Sequence, residues 1–457
     1  MTETANLDRP LASEAVLPGQ AIDHQNVELG RRVTSKVIRR LLPFIFVCYV
    51  VAYIDRVNIG FAAKGLMRDL ALSPEVYGRG AGLFFLGYFL FEIPSNLILH
   101  RVGARIWIAR IMIVWGFVSV GMMFVQGMWS FYGVRVLLGL AEAGFFPGIV
   151  LYLTYWIPKQ DRARAGAMFM MAAPIAMVVG GPLSGALLKL EGAAGLHGWQ
   201  WLFLMEGLPA VVLGFFTLRF LTDRPSQADW LEPNERDWLE QELDKERAER
   251  AAAQHGTGLR ALANGRVLLL CLIYFLNTTV TYGIFMWLPK MLEDVSGLSE
   301  LGLGLVNAIP FALAIGAMIV IGSHSDKTGE RKRHVAFCAA LGAVGLAIAV
   351  AGQHSLLWFL IGFCVCQIGQ RSIMNVFWTI PPIFLGGAVA AAGIAMVNAV
   401  GNLGGYFGSD LMGALKTRTG GYSGGLTVLA SALVLLAILV LILPLSRPTP
   451  KASEGVS

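Results

Sequence analysis

Apolar runs of about 20 residues follow one another along almost the whole chain, separated by short polar seams. A helix needs about 20 such residues to cross the hydrocarbon core of a bilayer. Lipid offers no partner to an unpaired backbone amide, so a chain of such runs folds as a bundle of transmembrane helices. Breaking the sequence at its charged and Gly/Pro-rich seams gives twelve spans: 38–63, 78–99, 104–126, 129–156, 163–190, 199–221, 264–290, 302–323, 333–352, 354–384, 388–415 and 422–444. Only 14% of the residues are charged, where a soluble protein carries about 25%. The expected fold class is an all-α membrane protein.

Lys and Arg orient it, because positive residues stay on the cytoplasmic side. One set of seams holds Arg31, Arg32, Lys36, Arg39 and Arg40, then Arg101, Arg105, Lys159, Arg162, Arg164, Lys327, Arg331, Lys332, Arg333, Arg447 and Lys451. The opposite set holds only Lys64, Arg68, Arg79, Lys189, Lys290, Lys416 and Arg418. Both termini are expected to be cytoplasmic, and this bias accounts for the net charge of +6 without a nucleic-acid partner. Residues 1–30 are polar, so the first span is expected to act as the insertion signal, with no cleavable leader. Cys48, Cys271, Cys338, Cys364 and Cys366 all lie in apolar spans without metal or redox spacing, and read as small core residues.

Residues 222–263 form the one long polar stretch between spans and divide them six and six. The expected organisation is a cytoplasmic tail (1–34), a six-helix bundle (35–221), a cytoplasmic linker (222–263), a second six-helix bundle (264–445) and a short cytoplasmic tail (446–457). The halves echo each other: "HRVGAR" at 100–105 follows the second span and "DKTGER" at 326–331 follows the eighth, an offset of 326 − 100 = 226. Arg101, Gly103 and Arg105 thereby match Lys327, Gly329 and Arg331. Two copies of one unit suggest alternating access to a central site.

At these residues the chain resembles the major facilitator superfamily. Gly322, Asp326, Lys327, Gly329, Arg331 and Lys332 are similar to its cytoplasmic loop signature, whereas the first copy departs from it with Asn96 and His100. "YIDRVNIGFA" (53–62), "GYFLFEIPSNLILHRVGAR" (87–105), "RVLLGLAEAGFFPGIVLYLTYW" (135–156), "GWQWLFLMEGLPA" (198–210) and "NAVGNLGG" (398–405) resemble the anion:cation symporter family, in its bacterial tartrate, phthalate and hydroxyphenylacetate branch. The resemblance implies proton-driven uptake of a small organic anion across the bacterial inner membrane by a monomer without a cofactor.

Ionisable residues deep in spans are few: Asp55, Arg56, Glu92, Arg135, Glu142, Arg371 and Asp410, with Arg110 and Glu206 nearer span ends. Such residues usually face a cavity and mark ion or substrate paths. All seven histidines fall in loops or at span ends, so a proton carrier in the bundle must be a carboxylate. Asp55 and Arg56 are adjacent, and their side chains diverge by about 100°. Each is expected to meet a partner on another helix, with Asp55 or Glu142 facing Arg135. A static Arg135–Glu142 bridge on one helix face is the structural alternative.

The family resemblance implies proton coupling at Asp55 and Glu142, a substrate carboxylate on Arg56, and substrate contacts from Tyr88 and Asn398. For Glu92, a structural pair on the cytoplasmic side is expected. Arg371 departs from the family pattern. It is either a second arginine for a dianion such as phthalate or tartrate, or the partner of an acid such as Asp410. Phe84, Phe85, Phe285, Trp287 and Phe377 are candidate walls for an aromatic ligand. "GGPLSGA", with Gly180, Gly181, Pro182 and Gly185, partly resembles a motif of efflux antiporters and equally permits close helix packing. The sequence holds no G-x-x-x-x-G-K-[ST] loop, H-E-x-x-H or nucleophile elbow, so neither an ATP-driven pump nor an enzyme is expected.

Overall fold

The computed structural model describes residues 18–253, 264–384 and 387–444. The expected tail 446–457, with Arg447 and Lys451, lies outside the described residues, as do residues 1–17 of the first tail and 254–263 of the linker.

The first half comprises α1 (Pro18–Asp69), α2 (Pro74–Val102), α3 (Ala104–Gly121), α4 (Met128–Glu142), α5 (Phe145–Thr154), α6 (Lys159–Met170), α7 (Ala172–Leu188) and α8 (Gly198–Phe220). Helix α9 (Pro233–Ala253) forms the linker. The second half comprises α10 (Gly265–Phe285), α11 (Leu288–Ser296), α12 (Glu300–Thr328), α13 (Lys332–Ala351), α14 (Leu356–Phe377), α15 (Gly387–Asn402), α16 (Gly404–Thr419) and α17 (Ser423–Ile442). Among the described residues 11 helical stretches are long and apolar enough to cross a membrane, two of them, Met128–Thr154 and Lys159–Leu188, each running through a break. The remaining expected span, 388–415, is present as α15 and α16 with a break at Leu403.

Other expected spans are broken too. The span expected at 129–156 divides after Glu142, where Gly144 takes φ +88°. A side chain there would strike the Ser95 hydroxyl, so only glycine lets α4 and α5 turn while packed on α2. The span expected at 163–190 divides at Met171. Gly103 (φ +99°) ends α2 and Gly329 (φ +67°) ends α12, so the two sequence echoes share a left-handed glycine.

Helix α1 has 52 residues and is therefore about 78 Å long, more than twice the hydrocarbon thickness. The stretch of it just before the apolar span carries the linker: Glu235, 2% exposed, is bound by Lys36 at 2.6 Å and Arg32 at 3.2 Å. Arg162 holds Glu246 of the same linker helix at 2.9 Å.

The halves meet along α2–α16 and α7–α12. Small residues make this possible: a Cβ on Gly78 would lie 2.6 Å from the Ser409 carbonyl oxygen, and one on Gly181 would lie 2.6 Å from that of Gly304. At the end of the bundle away from the linker, polar groups close the seam. Tyr77 donates to the Met286 carbonyl at 3.1 Å, Arg79 pairs with Asp410 at 3.1 Å, and Lys64 pairs with Glu293, while Trp287 donates to the Ser409 carbonyl at 3.2 Å within the second half.

Candidate functional site

The turn of α1 around residues 53–58 sits at the centre of the bundle. The 100° step between neighbours sends Asp55 towards α3 and Arg56 towards the second half. Asp55, 1% exposed, accepts from Trp115 Nε1 at 3.0 Å, Asn58 Nδ2 at 3.2 Å and the Ser119 hydroxyl. Three donors around an ionised carboxylate satisfy it without a cation.

Arg56 pairs through Nη2 with Glu142, which ends α4 at the break, and donates through Nη1 to Tyr282 across the seam at 3.4 Å. Its guanidinium lies 5.2 Å from the Phe84 ring centre, 5.4 Å from that of Tyr53 and 5.5 Å from that of Tyr88. The Arg56 side chain keeps 13% of its surface accessible where Glu142 keeps 1%. The second Glu142 oxygen and Arg56 Nε have no hydrogen-bond partner. A small anion approaching Arg56 would therefore find unused donors and a carboxylate already competing for them.

Arg135 does not take the expected partner. Its side chain is fully buried, donates to the Ala81 carbonyl at 2.9 Å and lies 5.3 Å from the Phe84 ring centre. Among the described residues no carboxylate is within ion-pair distance of it, and its Nε and Nη1 are unpartnered. The physical reason is length: a seven-residue spacing puts Arg135 and Glu142 on nearly one face but about 10 Å apart along the axis. Arg56, from another helix, reaches Glu142 first.

Arg371 has no ion pair either, among the described residues, since Asp410 belongs to Arg79 at the far end. Its guanidinium lies 5.3 Å from the Phe311 ring centre and 5.7 Å from that of Phe285, with Nε unpartnered. Tyr282, which meets Arg56, has its ring 6.0 Å from that of Phe285, over which Arg371 lies, so the two arginines approach one aromatic cluster from opposite halves. Phe84, Phe85 and Phe285 line this region, with Phe85 against Tyr282 at 4.3 Å. Trp287 instead seals the far end, and Phe377 stacks on Tyr274 at 5.8 Å.

Glu92 accepts from Asn398 at 2.7 Å, a bond between the halves on the linker side of Tyr88. Arg105 approaches Asp223 of the linker, through its backbone amide at 2.9 Å and its guanidinium at 3.7 Å. Arg331 bonds Asp326 at 2.6 Å within its own loop, and Arg101 and Lys327 are exposed. The loop charges thus fix each loop locally; the halves are joined elsewhere.

Sequence reasoning missed several contributors. Trp115 and Ser119 read as ordinary core residues. Tyr282 had a signal: it lies 282 − 56 = 226 residues after Arg56, the repeat offset itself. Glu206, placed near a span end, is 2% exposed, accepts from Ser184 at 2.7 Å and has its second oxygen unpartnered.

Comparison with known proteins agrees with this architecture. The sequence profile of the Major Facilitator Superfamily matches residues 45–409. A protein of Agrobacterium vitis named "Putative tartrate transporter" is 50% identical over 432 residues, covering 94% of this chain and 99% of its own. The "Quinolone resistance transporter" of Acinetobacter baumannii is 42% identical, covering 91% and 96%. The crystal structure of a D-xylose-proton symporter superposes with a TM-score of 0.73 at 14% identity, covering 90% of this chain and 98% of that one, a likeness of fold alone. The chain belongs to the major facilitator superfamily: it is a multi-pass membrane transporter of small molecules, not an enzyme.

Proposed function

We propose that the protein is a proton-coupled importer of a small organic anion, a carboxylate of the tartrate or phthalate kind. It works by alternating access between bundles at 35–221 and 264–445, with tails and linker in the cytoplasm of a bacterium, as a monomer in the inner membrane. The observation that carries this reading is the Arg56–Glu142 pair. One guanidinium has two rival anions, the protein's own carboxylate and the substrate's, and its fork suits either. Protonation of Glu142 frees Arg56 for substrate; loss of substrate lets Glu142 ionise and reclaim it. Asp55, held by three neutral donors, is the second proton site. Arg371 supports a second carboxylate from the opposite half, and the name of the Agrobacterium vitis relative points to a dianion.

The second reading, proton-driven efflux, is favoured by the name of the Acinetobacter relative. Purified protein in proteoliposomes separates the two. An inward proton gradient should drive labelled tartrate or phthalate into vesicles in which the linker faces the lumen. Movement of substrate against the proton flow supports efflux, and indifference to the gradient rejects coupling of either kind.

A further inference from the structure

A groove of about 990 Å³ lies outside the central site, at the linker end, between the start of α1, the end of α8 and the linker. Arg32, Lys36, Arg39 and Arg40 line it, with Glu232 and Glu235 opposite, a balance of 4 − 2 = +2. The two acids are taken by Arg32 and Lys36. Among the described residues Arg39 and Arg40 pair with no carboxylate and stand exposed at the lip. The wall beneath them is aromatic: the Arg40 guanidinium lies 5.0 Å from the Phe220 ring centre and 5.2 Å from that of Trp230, which stacks in turn on Trp156 at 5.5 Å. Phe44 and Pro43 continue the wall into the apolar span.

We infer that this groove binds the phosphate headgroup of an anionic phospholipid, with an acyl chain along Phe44 and Phe220. Three features combine. Two guanidiniums without a protein counter-ion offer forked donors to phosphate oxygens. Rings that hold one guanidinium in place lower the cost of ordering it. The apolar wall begins where the first span begins, at the depth of the headgroups. A basic groove there is the arrangement expected for anionic headgroup recognition. A free phosphate would use the same arginines but gain nothing from the Phe44–Phe220 wall. Because Arg32 and Lys36 line the same groove while holding Glu235, bound lipid would also brace the linker against α1.

The test uses the purified full-length protein in a neutral detergent, with thermal stability and native mass spectrometry as readouts. Three probes are added separately: dihexanoyl phosphatidylglycerol, dihexanoyl phosphatidylcholine and inorganic phosphate. The phosphatidylglycerol should be retained and should raise Tm, while the phosphatidylcholine and the inorganic phosphate do neither. Arg39→Gln/Arg40→Gln should weaken retention roughly thirtyfold, on the order of fivefold per arginine. Arg31→Gln, on the same helix but outside the groove, should not. Each variant's Tm without lipid controls for folding, and single Arg39→Gln serves if the double variant is unstable. Equal retention of both lipids overturns anionic recognition. Equal protection by inorganic phosphate reduces the site to a free-anion site and overturns the lipid assignment. Undiminished retention in a folded Arg39→Gln/Arg40→Gln protein overturns the groove.

Discussion

Glu142→Gln separates a competing carboxylate from a structural one. In the wild type, an anion that takes Arg56 from an ionised Glu142 must replace a charged hydrogen bond worth roughly 1.5–3 kcal/mol net. Glutamine removes the charge but leaves an oxygen that can still accept from Arg56. Anion affinity at alkaline pH should therefore rise by roughly 10- to 150-fold towards the wild type's acidic limit, leaving only the pH dependence that Asp55 contributes. Breaking a buried ion pair usually costs about 3–5 kcal/mol. Here Tyr282 and three aromatic rings remain around a guanidinium that is 13% accessible, so a loss near the lower figure, about 3 kcal/mol, is expected. The assay is binding of labelled tartrate or phthalate across pH 5.5–8.5, beside counterflow and gradient-driven uptake in proteoliposomes. Counterflow should persist because exchange moves no net proton, and accumulation driven by the gradient should vanish. A folded variant that binds more weakly at every pH, or still accumulates substrate against its gradient, would refute the competition.

Arg371→Ser should weaken binding of a dicarboxylate at least tenfold more than that of the matching monocarboxylate; equal losses would make Arg371 a packing residue held by Phe285 and Phe311. Gly139→Ala should reduce folded yield severely, since its Cβ would drive into the Phe84 carbonyl and lie 2.8 Å from the Tyr88 amide nitrogen. Comparing detergent-stable protein by fluorescence size-exclusion chromatography checks this, and normal yield would contradict the tight α2–α4 contact. For Glu235, burial works against the ionised form, but the Lys36 ammonium, the Glu232 amide and Arg32 outweigh it and hold the carboxyl below the usual carboxylate range. A depressed carboxyl stabilises docking above its unfolded value, about 4.3, and that contribution fades as pH falls through the lower folded value. The distance between spin labels on α1 and α9 should therefore lengthen below about pH 4 in the wild type, and a Glu235→Gln protein should lack this transition.

The fold was legible because its causes are local in sequence: twenty-residue apolar runs, loops with a glycine at a fixed place, and one polar linker. The breaks were not. Glu142 and Ala143 continue a helical pattern, and only the packing of Gly144 on Ser95 shows why the helix must turn there. Leu403 carries no breaking signal of its own, being flanked by Asn402 and Gly404 in an otherwise apolar run. The charged residues were found by scarcity, but their pairing was not. Spacing along α4 suggests Arg135 with Glu142, whereas the reach of a side chain from α1 decides the matter in favour of Arg56. Partners from different helices are set by bundle geometry, which no spacing within one helix encodes. The repeat offset was the exception, because it does relate one half to the other, and it leads from Arg56 to Tyr282.

The arrangement of charge between the halves bears on how coupling can work. Asp55, Arg56, Arg135 and Glu142 all come from the first half, while the second half meets Arg56 with Tyr282 and holds Arg371 against Phe285 and Phe311. Asp55 is satisfied entirely by α1 and α3, so its environment travels with the first half and need not change as the halves move. Arg56 is different, because its bonds run both to Glu142 within its own half and to Tyr282 across the seam. Relative movement of the halves changes the second bond without touching the first. A substrate lying between Arg56 and Arg371 would add attraction across the seam only when Glu142 has released Arg56. Under the proposed coupling, Glu142 would decide whether the halves can close on an anion, and Asp55 would set the charge against which Glu142 ionises. The order of dependence in the proposed cycle would then be proton first, substrate second, closure last.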